Sequence, residues 1–291
     1  MRPEDIQWVP FELGRAGGDD DVCVRWLGTA GFAIEHAGYV VLIDPYVTRA
    51  SLARCVASPL APDARAVAAY APRADAIVVG HTHFDHALDV PAIARATGAR
   101  VLGSRSAARL CVGRGVPADR VEVVEPEPGG AAVEREVGPF HLRFVPSAHS
   151  RFALGRVPFP GEIADCGDVP MRAQAYRCGA VFGIDLRVAG RRLYHLGSAE
   201  LVDARLEAGP VDLLLLCVAG WTASRDLPER VAHRLAPGAI LLSHWDDFLR
   251  PLHAPTRMLP AMQLPRLVER LARAAPGVRV GTLAALGDVW I

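Results

Sequence analysis

Three imidazoles and one carboxylate fall within the six residues His81-Thr82-His83-Phe84-Asp85-His86. An apolar run over 76–80 leads into this hexapeptide, and the alternating segment 87–94 that follows it is typical of a helix. This setting predicts a loop at the carboxyl end of a buried strand, where α/β folds place their ligands. Histidine and aspartate are ligands for metals such as zinc. The hexapeptide therefore predicts a metal site; the alternative is a polar loop that is rich in histidine by chance.

The spacing within the hexapeptide indicates how the ligands divide. Residues two apart in a tight loop can point into one cavity while their neighbours point another way. We therefore predict that His81 and His83 serve one metal and that Asp85 and His86 serve a second.

The composition limits the class of protein. A chain of 291 residues with 51% hydrophobic and 22% charged residues is typical of a soluble globular protein. The net charge is zero, which argues against a nucleic-acid-binding protein, since such a protein would carry a basic excess. All 32 basic residues are arginine, so lysine nucleophiles, Schiff-base chemistry and a Walker-type phosphate loop are excluded.

The cysteines and the N-terminal residues bear on the compartment. Six cysteines occur, and no two of them form a C-x-x-C pair. Cys166 and Cys178 lie in a long loop and could be ligands or a redox pair, but a reducing cytoplasm fits best. The sequence has no apolar signal core at its start and no apolar run of membrane-spanning length. We therefore expect a cytoplasmic protein without stable membrane insertion.

Hydrophobic periodicity predicts strands and helices that alternate along the chain. Three short strands with tight turns form an opening β-meander, and the strand–helix pattern then runs twice. The predicted strands are 22–27, 32–35, 39–45, 76–80, 101–102, 121–124, 132–137, 140–145, 180–188, 191–196, 211–218, 239–243, 278–280 and 288–291. The predicted helices are 63–70, 87–97, 104–113, 200–207, 226–235 and 260–274. No linker divides the chain, so we expect one α/β domain over 1–291.

The motif His-x-His-x-Asp-His after a strand resembles the signature of the metallo-β-lactamase superfamily. The similarity extends to the opening meander with its G-x-x-G turn, to Asp44 before Pro45, and to His149 and His244, each just past the end of a strand. It covers roughly residues 22–250. The resemblance implies a four-layer αββα sandwich with its metals at the seam between the layers.

The resemblance also implies roles for individual residues. The implied metal ligands are His81, His83 and His149 for one ion, and Asp85, His86 and His244 for the other. Asp85 is the implied catalytic residue, which would orient the attacking hydroxide or relay a proton. Asp44 would orient a ligand histidine, although an aspartate before Pro45 can also be a simple turn residue.

One position departs from the pattern of the superfamily. The family usually has an aspartate that bridges the two metals, and Ser198 occupies that position here. A hydroxyl is a far poorer bridge than a carboxylate because it stays protonated and neutral. Either the site holds one tightly bound metal, or water and substrate do the bridging. Glu200 is the residue that could reach in instead.

Residues around the predicted ligands are candidates for substrate contact. Residues 151–180 are rich in glycine and proline and lack periodicity, so we predict a lid or substrate loop that includes Tyr176. Trp245 and Asp246 follow the predicted ligand His244 and are expected either behind the ligands or at the substrate.

The function implied by the resemblance is that of a metal-dependent hydrolase. Metal-activated water would cleave an ester-type bond of a small-molecule substrate, a lactone or a phosphodiester. The nearest branch looks like the L-ascorbate-6-phosphate lactonase-like hydrolases, and the N-acyl-phosphatidylethanolamine phospholipase D enzymes are similar in layout. Zinc is the expected cofactor, as one or two ions, with manganese or iron as alternatives. An iron-dependent redox or oxygen-handling enzyme, a non-catalytic member that lacks the bridging aspartate, and a homo-oligomer all stay open.

Overall fold

The computed structural model describes residue 18 and residues 21–127, 129–152, 155–164 and 166–291. The strands in this part of the chain are β1 Cys23–Gly28, β2 Gly31–His36, β3 Tyr39–Ile43, β4 Ala76–Val78, β5 Arg100–Gly103, β6 Val121–Val123, β7 Val133–Val137, β8 Phe140–Pro146, β9 Phe182–Val188, β10 Arg191–Leu196, β11 Leu213–Cys217, β12 Ala239–Ser243, β13 Arg279–Gly281 and β14 Asp288–Trp290. The helices are α1 Leu52–Ala57, α2 Ala64–Tyr70, α3 Phe84–Ala87, α4 Val90–Thr97, α5 Arg105–Gly113, α6 Leu227–Leu235 and α7 Leu264–Ala274.

The strands form two mixed sheets of seven strands each. The first has the order β14-β1-β2-β3-β4-β5-β6, and the second has the order β13-β12-β11-β10-β9-β8-β7. In the first sheet β14 to β3 pair antiparallel and β3 to β6 pair parallel. In the second sheet β13 to β10 pair parallel and β10 to β7 pair antiparallel. Each sheet therefore has a parallel half, in which neighbouring strands end at the same edge.

Two hydrophobic cores follow from the alternation of side chains along the strands. On β3, Val41 and Ile43 belong to the core that contains both sheets, whereas Leu42 belongs to the core that contains α2, α4 and α5. The helices α6 and α7 contribute Val231 and Leu267 to the first of these cores. Fully burying a side chain of this size contributes about 1.5–3 kcal/mol. The predicted four-layer αββα sandwich is confirmed.

Side-chain caps set the beginnings of two helices that the sequence predicts. Asp63 Oδ1 accepts from Arg65 N at 2.9 Å at the start of α2, and Ser104 Oγ accepts from Ala107 N at 3.2 Å at the start of α5. Gly98 ends α4 with φ 76°, a left-handed conformation that glycine adopts without strain. Within the described part of the chain, no α-helix has the length and apolar character that a membrane span requires.

Two predicted helices differ from those in the structure. The predicted helix 200–207 is only a 3₁₀ turn, Asp203–Arg205, because Arg230 binds the carboxylate of Asp203 and the carbonyl of Leu201 from outside. The predicted helix 260–274 begins at Leu264, since Ala261 and Gln263 have left-handed backbones with φ 65° and 50°.

The hexapeptide is not a loop throughout, because its last three residues begin the short helix α3. The helix α1 was not predicted. None of its residues is buried, so its sequence carries no helical pattern of apolar residues.

Candidate metal centre

Chain direction explains why distant histidines meet. Asp44 follows β3 and His81 follows β4, and these two strands are parallel neighbours in the first sheet. In the second sheet, His149 follows β8, Ser198 follows β10 and His244 follows β12. The strands β10, β11 and β12 run parallel, and β8 has the same direction because two antiparallel pairings separate it from β10. All these residues therefore lie where strands of the two sheets end.

The first group of ligand side chains consists of His81, His83 and His149. One ligand nitrogen from each lies within 4.8 Å of the others. His81 Nε2 and His83 Nδ1 are 3.1 Å apart, and the His149 ring is centred 4.9 Å from that of His81 and 4.7 Å from that of His83. Three imidazoles at this spacing are a donor set that a tetrahedral metal ion such as zinc accepts.

Carbonyl groups fix the protons of two of these imidazoles. His83 Nε2 donates to Pro158 O at 2.9 Å, and His149 Nδ1 donates to Ser150 O at 2.7 Å. Because a carbonyl oxygen can only accept, the proton must sit on the contacting nitrogen. The lone pair is then on His83 Nδ1, which faces His81, and on His149 Nε2. This is how outer partners prepare histidines for metal binding.

The second group consists of Asp85, His86 and His244, whose ligand atoms also lie within 4.8 Å of one another. Asp85 Oδ2 is 3.2 Å from His244 Nε2 and 4.0 Å from His86 Nε2. His244 has φ 56°, and its backbone N donates to Thr29 O at 2.7 Å. The rings of His81 and His86 are centred 3.8 Å apart, so the two groups adjoin.

Asp44 contacts the second group through the ring of His86. Its Oδ2 accepts from His86 Nδ1 at 2.9 Å, which leaves His86 Nε2 for a metal. Its Oδ1 accepts from Gly80 N at 2.6 Å. A Cβ at Gly80 or at Gly197 would lie 2.8 Å from Asp44 Oδ2. The carboxylate is thus held between two glycines, one after a strand of each sheet.

Burial and neighbouring charges set the protonation states of the centre. Burial, reinforced by neighbouring histidines, lowers the pKa of His81 and His83, and it lowers the pKa of His149 to about 4. Burial also opposes the charged form of His86, but Asp44 outweighs this effect and raises its pKa. Burial disfavours the Asp85 carboxylate, yet the hydrogen bond with His244 and the nearby imidazoles lower its pKa overall. Three neutral imidazoles and an ionised carboxylate are the states that ligate metals.

The metal-free protein is expected to lose stability as pH falls from about 6.5 toward about 4. In this window the unfolded chain takes up a proton at His149 while the folded chain does not. The unfolded state therefore binds more protons, and the free energy of unfolding decreases with decreasing pH. His81 and His83 act in the same direction, whereas the raised pKa of His86 changes stability mainly above this window.

Urea unfolding in the presence of a chelator, at several pH values in this window, measures the slope. His149→Gln should flatten it, because the variant lacks one of the groups that titrate differently in the two states. A wild-type protein whose stability is constant or rises toward acid pH would contradict the expectation.

Of two remaining candidates, Ser198 lies beside the metal centre and Glu200 is paired away from it. Ser198 Oγ accepts from Ser150 N at 3.0 Å, so this hydroxyl lies next to the loop of His149. Glu200, the alternative to Ser198 as a bridging residue, does not reach the cluster. Its Oε1 lies 2.8 Å from the guanidinium of Arg230, so its charge is balanced on α6.

Tyr176, Trp245 and Asp246 were expected behind the ligands or at the substrate, and the structure places all three in buried surroundings. Tyr176 is buried in the core with α4 and α5, and burial raises its pKa. Trp245 is buried, and its Nε1 donates to Thr282 Oγ1 at 2.6 Å. Asp246 is buried and forms an ion pair of 2.7 Å with Arg49.

The predicted lid segment 151–180 contacts the hexapeptide. Thr82 N donates to Cys178 O at 2.9 Å, and the ring of Phe159 is centred 6.3 Å from that of His83. Cys178 is buried and Cys166 Sγ lies 3.8 Å from Arg109 O; neither belongs to a His/Asp group found among the described residues.

Sequence reasoning missed several residues that shape the centre. Gly80 and Gly197 could have been found, because they directly precede the candidate site residues His81 and Ser198 at strand ends. Thr29, Pro158 and Arg49 carried no such signal. They act through backbone atoms or through a partner almost two hundred residues away in the sequence.

Comparison with known proteins agrees with this geometry. A sequence profile described as the beta-lactamase superfamily domain matches residues 23–244. A relative from Anaeromyxobacter dehalogenans, named UPF0173 metal-dependent hydrolase, is 28% identical over 247 residues, which are 82% of this chain and 80% of the relative.

Solved structures show the same fold at lower sequence identity. Igni18, a metallo hydrolase from Ignicoccus hospitalis, has a TM-score of 0.56 and 16% identity over 93% of this chain and 98% of its own. CmlA, a diiron β-hydroxylase from Streptomyces venezuelae, has a TM-score of 0.58 and 15% identity over 95% of this chain and 55% of its own. Likeness at these identities concerns the fold alone, whereas the profile covers most of the sequence. This chain belongs to the metallo-β-lactamase superfamily.

Proposed function

We propose that the protein is a zinc-dependent hydrolase that cleaves an ester-type bond, a lactone or a phosphodiester, in a small molecule. The observation that carries this proposal is the convergence of two adjoining ligand groups at the strand ends. The name of the Anaeromyxobacter dehalogenans relative, a metal-dependent hydrolase, supports the reaction class. The L-ascorbate-6-phosphate lactonase-like hydrolases are the branch that we propose as the nearest in chemistry.

The proposed ligands are those of the two groups described above. His81, His83 and His149 would hold one ion, and Asp85, His86 and His244 the other. Bound there, zinc would bring the pKa of water close to neutrality and polarise the bond to be cleaved. The soft-to-borderline imidazole nitrogens favour zinc over magnesium or calcium, which prefer oxygen ligands.

The side chains around the ligands have defined tasks in this proposal. Asp85 is ionised and can accept a proton or orient the attacking water, since its Oδ2 faces His244 Nε2. Asp44 holds the ring of His86 in one orientation. Residues 151–180 would act as a lid that excludes water and shapes the substrate site, because they contact both Thr82 and His83.

Ser198 determines how many ions the centre is expected to hold. A neutral hydroxyl cannot neutralise the repulsion between two cations as a bridging carboxylate does. We therefore propose one tightly bound ion at the three-histidine group and a weaker one at the second group. The single domain over 1–291 and a cytoplasmic location, which fits cysteines that form no disulfide among the described residues, are part of the same proposal.

Metal analysis combined with a substrate panel tests the proposal. Protein purified without added metal should contain zinc, at one to two ions per chain, and should hydrolyse at least one lactone or phosphodiester in the panel. Chelation should abolish the hydrolysis, and added zinc should restore it. Zinc-loaded protein that hydrolyses no lactone, phosphodiester or thioester would contradict the proposal and favour a non-catalytic role.

Iron is the alternative outcome of the same analysis. CmlA, which is similar in fold, is named a diiron β-hydroxylase, and this name supports considering iron for this chain as well. Iron as the main metal in the purified protein, with no hydrolysis after zinc replacement, would favour an oxygen-handling enzyme.

A further inference from the structure

A cleft borders the segment that follows His244. It is shallow and partly open to solvent, and its charged lining residues are Arg49, Asp246, Asp247, Arg250 and Arg257. None of these five residues belongs to the His/Asp groups of the metal centre.

The charges of this cleft are not balanced. Asp246 is already neutralised, because its carboxylate pairs with Arg49 at 2.7 Å and accepts from Thr29 N at 2.9 Å. In the part of the chain that the structure describes, Arg250 and Arg257 form no ion pair with a carboxylate, whereas Asp247 accepts from Leu249 N. Three guanidinium groups thus face two carboxylates, and the surplus charge of the cleft is positive.

Two donors of the cleft lack acceptors. Arg49 Nε and Arg250 Nε are buried and have no hydrogen-bond partner among the described residues. A buried donor without a partner is unfavourable, and native structures usually satisfy such groups with protein, water or a ligand.

The loop that carries the arginines is closed by its own backbone. Asp247 N donates to Arg257 O at 2.7 Å, Leu259 N donates to Trp245 O at 2.8 Å, and Asp246 forms an antiparallel bridge with Met258. Arg250 and Arg257 are therefore held on a closed loop in the absence of any ligand. Such preorganisation reduces the loss of conformational entropy on binding.

We propose that this cleft is a binding site for a small oxyanion, a phosphate or carboxylate group. Guanidinium groups bind such groups through paired, charge-assisted hydrogen bonds, and Thr256, which also lines the cleft, offers a hydroxyl. The anion is either a group of the substrate or a free ion. The site connects to the metal centre, since Thr29 donates to Asp246 through its N and accepts from His244 N through its O.

Phosphate titration calorimetry at constant ionic strength tests this site without any assay of hydrolysis. The holoprotein is compared with Arg250→Gln/Arg257→Gln and with the control Arg65→Gln, which removes an exposed arginine on α2. The double variant should bind inorganic phosphate at least about tenfold more weakly, because two charge-assisted donors are lost. Phosphate that binds at the metals persists in all three proteins, so the difference isolates the cleft.

Equal phosphate binding by the wild type and the double variant, or equal weakening by Arg65→Gln, would overturn the proposal. Equal metal content and equal unfolding midpoints show that the variants are folded. If the double variant does not fold, the single variant Arg257→Gln replaces it in the titration. With a substrate from the panel, a raised KM at unchanged kcat and competitive phosphate inhibition identify the substrate's own anion. A change in kcat caused by phosphate, lost in the double variant, identifies a free ion.

Discussion

His83→Ala is expected to lower kcat/KM for any substrate of this enzyme by at least about 10³-fold, which corresponds to about 4 kcal/mol of transition-state stabilisation. His83 lies at the middle of the three-histidine group, with Nδ1 3.1 Å from His81 Nε2 and close to the ring of His149. Without it the group has two imidazoles, and the ion that generates the nucleophile is lost or misplaced. Elemental analysis after dialysis against a weak chelator should show the loss of about one ion per chain.

The matched control is His141→Ala on β8, the strand that leads to His149. His141 is partly exposed and faces Glu134 at 3.4 Å, away from the centre. Its removal should leave activity and metal content within about twofold of wild type, as for other surface substitutions. A His83→Ala protein that keeps both its metal and its activity would show that the cluster is not the catalytic site.

The sequence predicted which side chains converge because the candidate ligands share a local setting. The hexapeptide supplies four of them within six residues, and His149 and His244 each follow an apolar strand. Ligands at strand ends meet whenever the strands share direction, so the topology did not have to be known in detail. What the pattern could not supply was the order of the strands in the two sheets.

The surroundings of the residues after His244 could not be predicted from the sequence. Trp245 follows a left-handed backbone at His244 and is buried in the core, where its ring is centred 5.3 Å from that of Trp26. Asp246 forms an ion pair with Arg49, which follows β3 of the other sheet. Backbone reversals and long-range ion pairs depend on the tertiary structure, and no period in the sequence reports them.

The false helix over 200–207 has a different cause. Its sequence has the composition of a helix, yet Arg230 satisfies the polar groups of this segment from α6, with its Nη1 2.8 Å from Glu200 and its Nη2 2.8 Å from Leu201 O. Tertiary hydrogen bonds thus replace the ladder that a helix would supply. Local propensity is a weak prior when such partners are available.

Gly197→Ala is expected to weaken metal binding and lower activity by roughly 10- to 100-fold, the usual effect of disturbing the partner of a ligand histidine. The added Cβ would lie 2.8 Å from Asp44 Oδ2 and 2.9 Å from His195 Cε1. Such contacts are too short, so Asp44 must move. It has little room, because its backbone has φ 46° and its Oδ1 is bound to Gly80 N.

The displaced carboxylate would release the ring of His86. Its Oδ2 is the acceptor for His86 Nδ1 at 2.9 Å, and this bond keeps Nε2 directed toward Asp85 and His244. The second metal group should therefore suffer more than the first. Titration of the metal-free variant with zinc should show the weaker of two binding steps shifted, while the tighter step changes less. Overpacking should also lower the free energy of unfolding by about 1–3 kcal/mol.

Gly167→Ala is the matched control, because a Cβ at Gly167 would meet no atom of the described residues within 4 Å and its backbone is not left-handed. This variant should bind metal as the wild type does. A double-mutant cycle with Asp44→Ala separates steric contact from a general loss of fold. If Gly197→Ala acts through the carboxylate, it should add little once Asp44 is alanine, since the atom that it displaces is gone. Additive losses of metal affinity in the cycle would mean that the glycine acts through His195 or the strand β10 and not through the partner of His86.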